Sequence, residues 1–104
     1  MDYQEIIDKI KNLEIQGARN IAIAAIEAFG MKLKETQDET ELKKAHDELV
    51  ATRATEPALR NGLKYCLANY KNDPKIAEKA VQLILIVKTF YYPRLIRRTA
   101  YMEN

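Results

Sequence analysis

Apolar residues recur every three or four positions along nearly the whole chain, a spacing that predicts helices throughout and leaves almost no strand signal. Ile6, Ile7, Ile10 and Leu13 form the first apolar face. Asp2, three residues before Glu5, predicts a capping box at that helix's start. Gly17 is read as the break that ends it. From Ala18 a second helix places Ala22, Ala25, Ile26, Phe29 and Leu33 on one side; its alanines admit a close neighbour, so it is expected to be the central element. Asp38 and Glu41 repeat the capping pattern ahead of a stripe of Leu42, Ala45, Leu49 and Val50. A fourth helix is expected to start with Thr55 as cap, Glu56 at the positive end of the dipole and Pro57 in the first turn. Its face is Leu59, Leu63, Cys66, Leu67 and Tyr70. Asn72-Asp73-Pro74 restarts a fifth, with Ile76, Ala77, Ala80, Val81 and Ile84 inward. Past Leu83 this helix turns apolar on all sides, and Pro93 is expected to kink or end it.

Short connections between these segments predict an all-α antiparallel bundle of about five helices, a single domain over 1–104. Ile10, Ala22, Ile26, Leu49, Leu63 and Leu67 are expected in its core.

Composition changes this picture little. The chain has 104 residues, 47% hydrophobic and 31% charged, as ordinary globular domains do. Seventeen basic residues against fifteen acidic give a net charge of +2, too small to point to nucleic acid by itself. A lone Cys66 rules out an internal disulfide and fits a reducing compartment. The start, MDYQEIIDKIKN, is charged and does not read as a secretion signal. The longest apolar run, VQLILIVKTFYY, contains Lys88 and falls short of the ~20 residues a membrane span needs. A cytoplasmic protein without membrane contact is expected.

Catalytic constellations are missing. His46 and Cys66 sit on different helices, and no metal-ligand pair or glycine-rich phosphate loop occurs, so no catalytic residue, metal or cofactor is predicted. His46 at the edge of a stripe reads as structural, and Cys66 between Leu63 and Leu67 as a small core residue. Two helix starts carry more. Gln16-Gly17-Ala18-Arg19 exposes backbone N–H groups beside a residue without a β-carbon, which suits an anion. Arg53-Ala54-Thr55-Glu56-Pro57 sets a guanidinium able to fork onto a phosphate at the fourth helix. Taken alone, Gly17 is a hinge and Arg53 a surface charge.

Both stretches resemble one family. Ile15-Gln16-Gly17-Ala18 opening an alanine-rich helix, followed by Thr52-Arg53-Ala54-Thr55-Glu56-Pro57-Ala58-Leu59-Arg60-Asn61 opening another, is similar to the N-terminal helical domain of a superfamily. Its members are translation initiation factor 2B regulatory subunits, ribose-1,5-bisphosphate isomerase and methylthioribose-1-phosphate isomerase. The likeness runs over about residues 5–80. It implies that Gln16, Gly17, Ala18 and Arg53 hold a sugar phosphate against a second, α/β domain. Gln16 replaces the isomerases' arginine, and Ala54 the usual proline. A charged hydrogen bond contributes about 1.5–3 kcal/mol against about 1 for a neutral one, so Gln16 weakens such a contact. The family's catalytic cysteine and aspartate belong to a Rossmann-like C-terminal domain absent from this chain, and Cys66 does not correspond to that cysteine.

The reading is therefore a factor 2B-like helical domain, noncatalytic by itself, acting through protein contacts and with a weak sugar-phosphate or nucleotide-phosphate site. The alternative is the substrate-binding N-terminal half of a ribose-1,5-bisphosphate isomerase that needs its C-terminal domain, and a second alternative is a stand-alone nucleic-acid-binding or regulatory helper. Residues 83–104 diverge from the family. There Lys88, Arg94, Arg97 and Arg98 interleave with Tyr91, Tyr92 and Tyr101, a pattern seen on nucleic-acid surfaces, although apolar packing is the default. The apolar segment 83–92 is expected to pair two chains as a homodimer; the other expected partner is the absent Rossmann-like domain or subunit.

Overall fold

The computed structural model describes residues 1–87, and within them five helices follow one another without a strand. They are α1 (Tyr3–Lys11), α2 (Ala18–Glu35), α3 (Glu39–Thr52), α4 (Pro57–Asn69) and α5 (Ile76–Val87). The all-α expectation holds. α2 touches each of the other four helices and buries Ile21, Ala22, Ala24, Ala25, Ile26, Ala28, Phe29 and Leu33. Its small side chains are what make this central position possible. A β-carbon placed on Gly30 would lie 2.9 Å from that of Ala77, so α2 and α5 meet almost backbone to backbone there. Ile10, Ala22, Ile26, Leu49 and Leu63 are fully buried as expected, whereas Leu67 is only partly buried, packed against the core from its edge.

Contacts between helices define two ends. The Lys32 ammonium, in the last turn of α2, lies 4.5 Å over the Tyr3 ring, which puts the start of α1 beside the end of α2. The Tyr3 hydroxyl also donates to the Ala45 carbonyl at 3.4 Å and to Glu48 Oε1 at 3.2 Å. Burial, then the Glu48 charge, pushes that hydroxyl's pKa well above the usual range. Lys71 Nζ pairs with Glu39 Oε2 at 3.4 Å, joining the end of α4 to the start of α3. One end of the bundle therefore gathers the starts of α1, α3 and α5. The starts of α2 and α4 fall at the opposite end, with the close of α3.

Several local expectations are corrected. The first helix does not run to Gly17; it stops at Lys11. Glu14 N–H bonds the Lys9 carbonyl at 2.9 Å and Leu13 N–H the Ile10 carbonyl at 3.3 Å, a Schellman closure in which Leu13 takes φ 65°. That is glycine's usual position. Leu13 is therefore 52% exposed in the turn instead of extending the apolar face. Asp38 accepts from Thr40 N–H at 3.4 Å rather than from Glu41. The cap of α4 is Glu56, not Thr55, and Pro57 takes its first position. Apolar character all round α5 does not mean burial all round: Ile84 is buried, yet Leu85 is 44% exposed. Pro93, the basic and tyrosine-rich surface and most of the 83–92 pairing segment lie outside the described residues.

Candidate functional site

Gly17 starts α2 at φ 90°, a left-handed value that a β-carbon resists, and as N-cap it has no side chain to offer the first turn. Ile21 N–H already bonds the Gly17 carbonyl at 2.9 Å. Ala18, the first helical residue, is partly buried. Gln16 is exposed, and its side-chain amide donates to the Leu13 carbonyl at 2.8 Å, so it braces its own turn.

Arg53 is not at the opening of α4, as the motif suggested, but is the C-cap of α3. Its backbone joins the two helices: its N–H bonds the Val50 carbonyl at 3.3 Å, and its carbonyl accepts from Glu56 N–H at 3.0 Å. The side chain is partly buried, and its Nε is shielded from solvent without a hydrogen-bond partner among the described residues. Such a group costs on the order of 1–3 kcal/mol or more while it stays unpaired. Glu56 extends no side-chain hydrogen bond into α4, so that helix too begins uncapped.

The chain brings Gln16, Gly17, Ala18 and Arg53 to one end of the bundle. At 1.5 Å per residue α2 is about 27 Å long and α3 about 21 Å. The tight reversal at 36–38 sends α3 back along α2 and returns Arg53 toward the level of Gly17. What gathers there is two helix starts without a side-chain cap bond, the Arg53 guanidinium and, at the N-cap of α4, the Glu56 carboxylate. Both helix dipoles and Arg53 favour an anion.

The other sequence candidates behave as structural groups. Cys66 is fully buried, and burial pushes its thiol pKa up. His46 Nδ1 lies 2.9 Å from Asp47 Oδ1. Among the described residues no group of His, Cys, Asp and Glu is arranged to hold a metal, and no helix is long and apolar enough to cross a membrane. Sequence reasoning missed a groove of about 600 Å³ between α2 and the beginning of α5, floored by Gly30, Met31, Ala77 and Val81. Glu27, Gly30, Met31 and Lys34 recur at i, i+3, i+4 and i+7, which is the only advance sign of a second seam on α2.

No protein-family model and no solved structure matches the chain. The ribose 1,5-bisphosphate isomerase of Pyrococcus furiosus does, at 34% identity over 98 residues. The match takes in 85% of this chain but 30% of the isomerase, so the chain spans less than a third of that relative's length. In sequence, then, this helical chain resembles the N-terminal part of a ribose 1,5-bisphosphate isomerase.

Proposed function

We propose that the chain is the phosphate-holding helical part of a sugar-bisphosphate isomerase, noncatalytic alone and completed by an α/β part that carries the proton-moving groups. The observation that supports this most is Arg53, whose buried Nε lacks a partner among the described residues, at the end where α2 and α4 start without a side-chain cap. A phosphate there accepts from the guanidinium and the free N–H groups, removing the unpaired donor. The likeness to a ribose 1,5-bisphosphate isomerase supports a sugar phosphate as the ligand class. A second reading, a factor-like role exerted through protein contacts, draws support from Gln16, which turns its amide to Leu13 and presents no charge.

Titration of backbone amide signals with inorganic phosphate and with ribose 1,5-bisphosphate separates the two. Joint shifts at Gly17, Ala18 and the 53–59 turn, with affinity near millimolar (about 4 kcal/mol), are expected. Arg53→Ala should remove them, and Gln16→Arg should tighten binding. Shifts that ignore Arg53→Ala would favour the protein-contact reading. No isomerase turnover is expected from the chain alone.

A further inference from the structure

Four helices pack around α2, and they do not close the ring. α1 touches α3, α3 touches α4 and α4 touches α5, but among the described residues α1 and α5 make no contact. The groove lies on this open side, floored by Gly30 and Met31 of α2 and by Ala77 and Val81 of α5. Ile23 and Met31, about two turns apart on α2, stay partly buried, whereas Ile21, Ile26, Phe29 and Leu33 of the same helix are buried.

α5 borders the opening, and from its last residue, Val87, the chain runs on into residues 88–104, which lie outside the described residues. Because α5 starts at the end opposite Gly17, the chain leaves it toward the Gly17 end and has to reverse to meet the groove again. Pro93 supplies the break in sequence. The return is short. From Val87 back to Ala77 is about 15 Å along the axis, and residues 94–104 cover about 16 Å even as a helix.

The order of charges fits that return. Nearer the Gly17 end the groove is flanked by Glu27 and Glu78, and beyond the contact of Gly30 with Ala77 by Lys34. All three are exposed, and none takes part in an ion pair among the described residues. A segment coming back from the Gly17 end brings Arg94, Arg97 and Arg98 past the two glutamates first, and Glu103 to Lys34 last. Run the other way, the same segment would set its arginines against Lys34 and its glutamate against Glu27. Leu95, Thr99 and Met102 recur at helical spacing among these charges, a stripe to set against Met31 and Val81.

We infer that the groove between α2 and α5 is the seat of the chain's own residues 94–104, which return antiparallel to α5 and close the ring of helices around α2.

A nitroxide attached to Tyr101→Cys in the full chain tests this through the broadening of backbone amide signals. Cys66 is buried, and the unsubstituted chain treated alike controls for label there. Gly30, Met31, Ala77 and Val81 should lose most of their intensity, and Lys43 and Asp47, on α3 across α2 from the groove, far less. Glu27→Lys with Glu78→Lys should restore at least half of the lost intensity by turning attraction into repulsion. Adding Arg94→Glu and Arg98→Glu to that chain should bring the broadening back. Circular dichroism of each variant checks that the helices remain. Broadening spread evenly over α3 and the groove, absent from the groove, or indifferent to the reversals would overturn the inference. So would groove broadening seen only when spin-labelled chains are mixed with separate isotope-labelled ones, which would assign the groove to a second copy. No phosphate is added and Gly17 and Arg53 are unaltered, so the outcome is independent of the proposed anion site.

Discussion

The two ends of the bundle solve the same problem in opposite ways. At one, three helix starts are satisfied by aspartates: Asp2 accepts from Glu5 N–H at 2.8 Å, Asp38 from Thr40 N–H at 3.4 Å and Asp73 from Lys75 N–H at 2.9 Å. At the other, α2 and α4 begin at Gly17 and Glu56 with no side-chain cap, at the same end as an Arg53 nitrogen that has no partner among the described residues. A cap is typically worth about 1 kcal/mol, so the second end forgoes stability that the same chain takes three times elsewhere. Free N–H groups and an unpaired guanidinium nitrogen are what an anion requires. The difference separates an end whose helix starts are capped by side chains from one whose helix starts keep their first N–H groups free of a side-chain cap.

The largest expected effect belongs to the aspartate end. Gly30→Ala gains about 1 kcal/mol of helix propensity, but the new methyl would meet the Ala77 side chain at 2.9 Å. The Ala77 β-carbon is not a flexible tip that can swing aside. Overpacking of this kind costs about 1–3 kcal/mol, so a net loss of stability in urea is expected. Unchanged or raised stability would mean that α2 and α5 are not locked together. Phosphate shifts at Gly17 and Arg53 should survive in the folded fraction.

A smaller effect, of opposite sign, is expected where caps are missing. Glu56 has the extended backbone of an N-cap (φ −84°, ψ 110°) without the matching side-chain bond. Glu56→Asp keeps the charge and shortens the reach to suit the free N–H groups of α4, and should stabilise the chain by about 0.5–1 kcal/mol. The same carboxylate would occupy those N–H groups and should weaken the phosphate response at Arg53. A variant that is stabilised and still binds phosphate undiminished would uncouple the uncapped helix from the anion site.

Much of the fold was legible because burial obeys helical periodicity. The stripe through Ala22, Ala25, Ile26, Phe29 and Leu33 is the interior face of α2, and Cys66 is core. Boundaries were less legible. Leu13 fits the apolar spacing, yet the chain turns there through a left-handed backbone that its side chain gives no sign of. Thr55 was the conventional cap, but Arg53 to Glu56 forms a backbone-bonded turn that shifts the start of α4 by one residue. The motifs pointed to Arg53 as a candidate; that its Nε is hidden, with no partner among the described residues, depends on how the turn packs. The α2–α5 groove was invisible because Gly30 and Ala77 are forty-seven positions apart in sequence and meet only in the folded chain.

Acid should sharpen the comparison most gently, through Asp73. A bond from Lys79 Nζ at 2.6 Å and the Lys75 N–H hold its carboxyl below the ordinary aspartate pKa. Because the folded value is depressed, the contribution is complete above the unfolded pKa, about 3.9, and fades as pH falls through the lower folded value. The Lys75 amide signal should therefore stay constant down to about pH 4 and titrate only below it, as the start of α5 loosens. Asp47, held low first by His46 and then by Lys43, should behave alike on α3. No comparable carboxylate caps α2 or α4, so the Asn20 and Leu59 amides should not report a capping carboxylate in that window. Asp73→Asn should abolish the Lys75 transition and leave those two amides as they were. A Lys75 transition at ordinary aspartate pH, or an equal one at Asn20, would remove the distinction between the two ends.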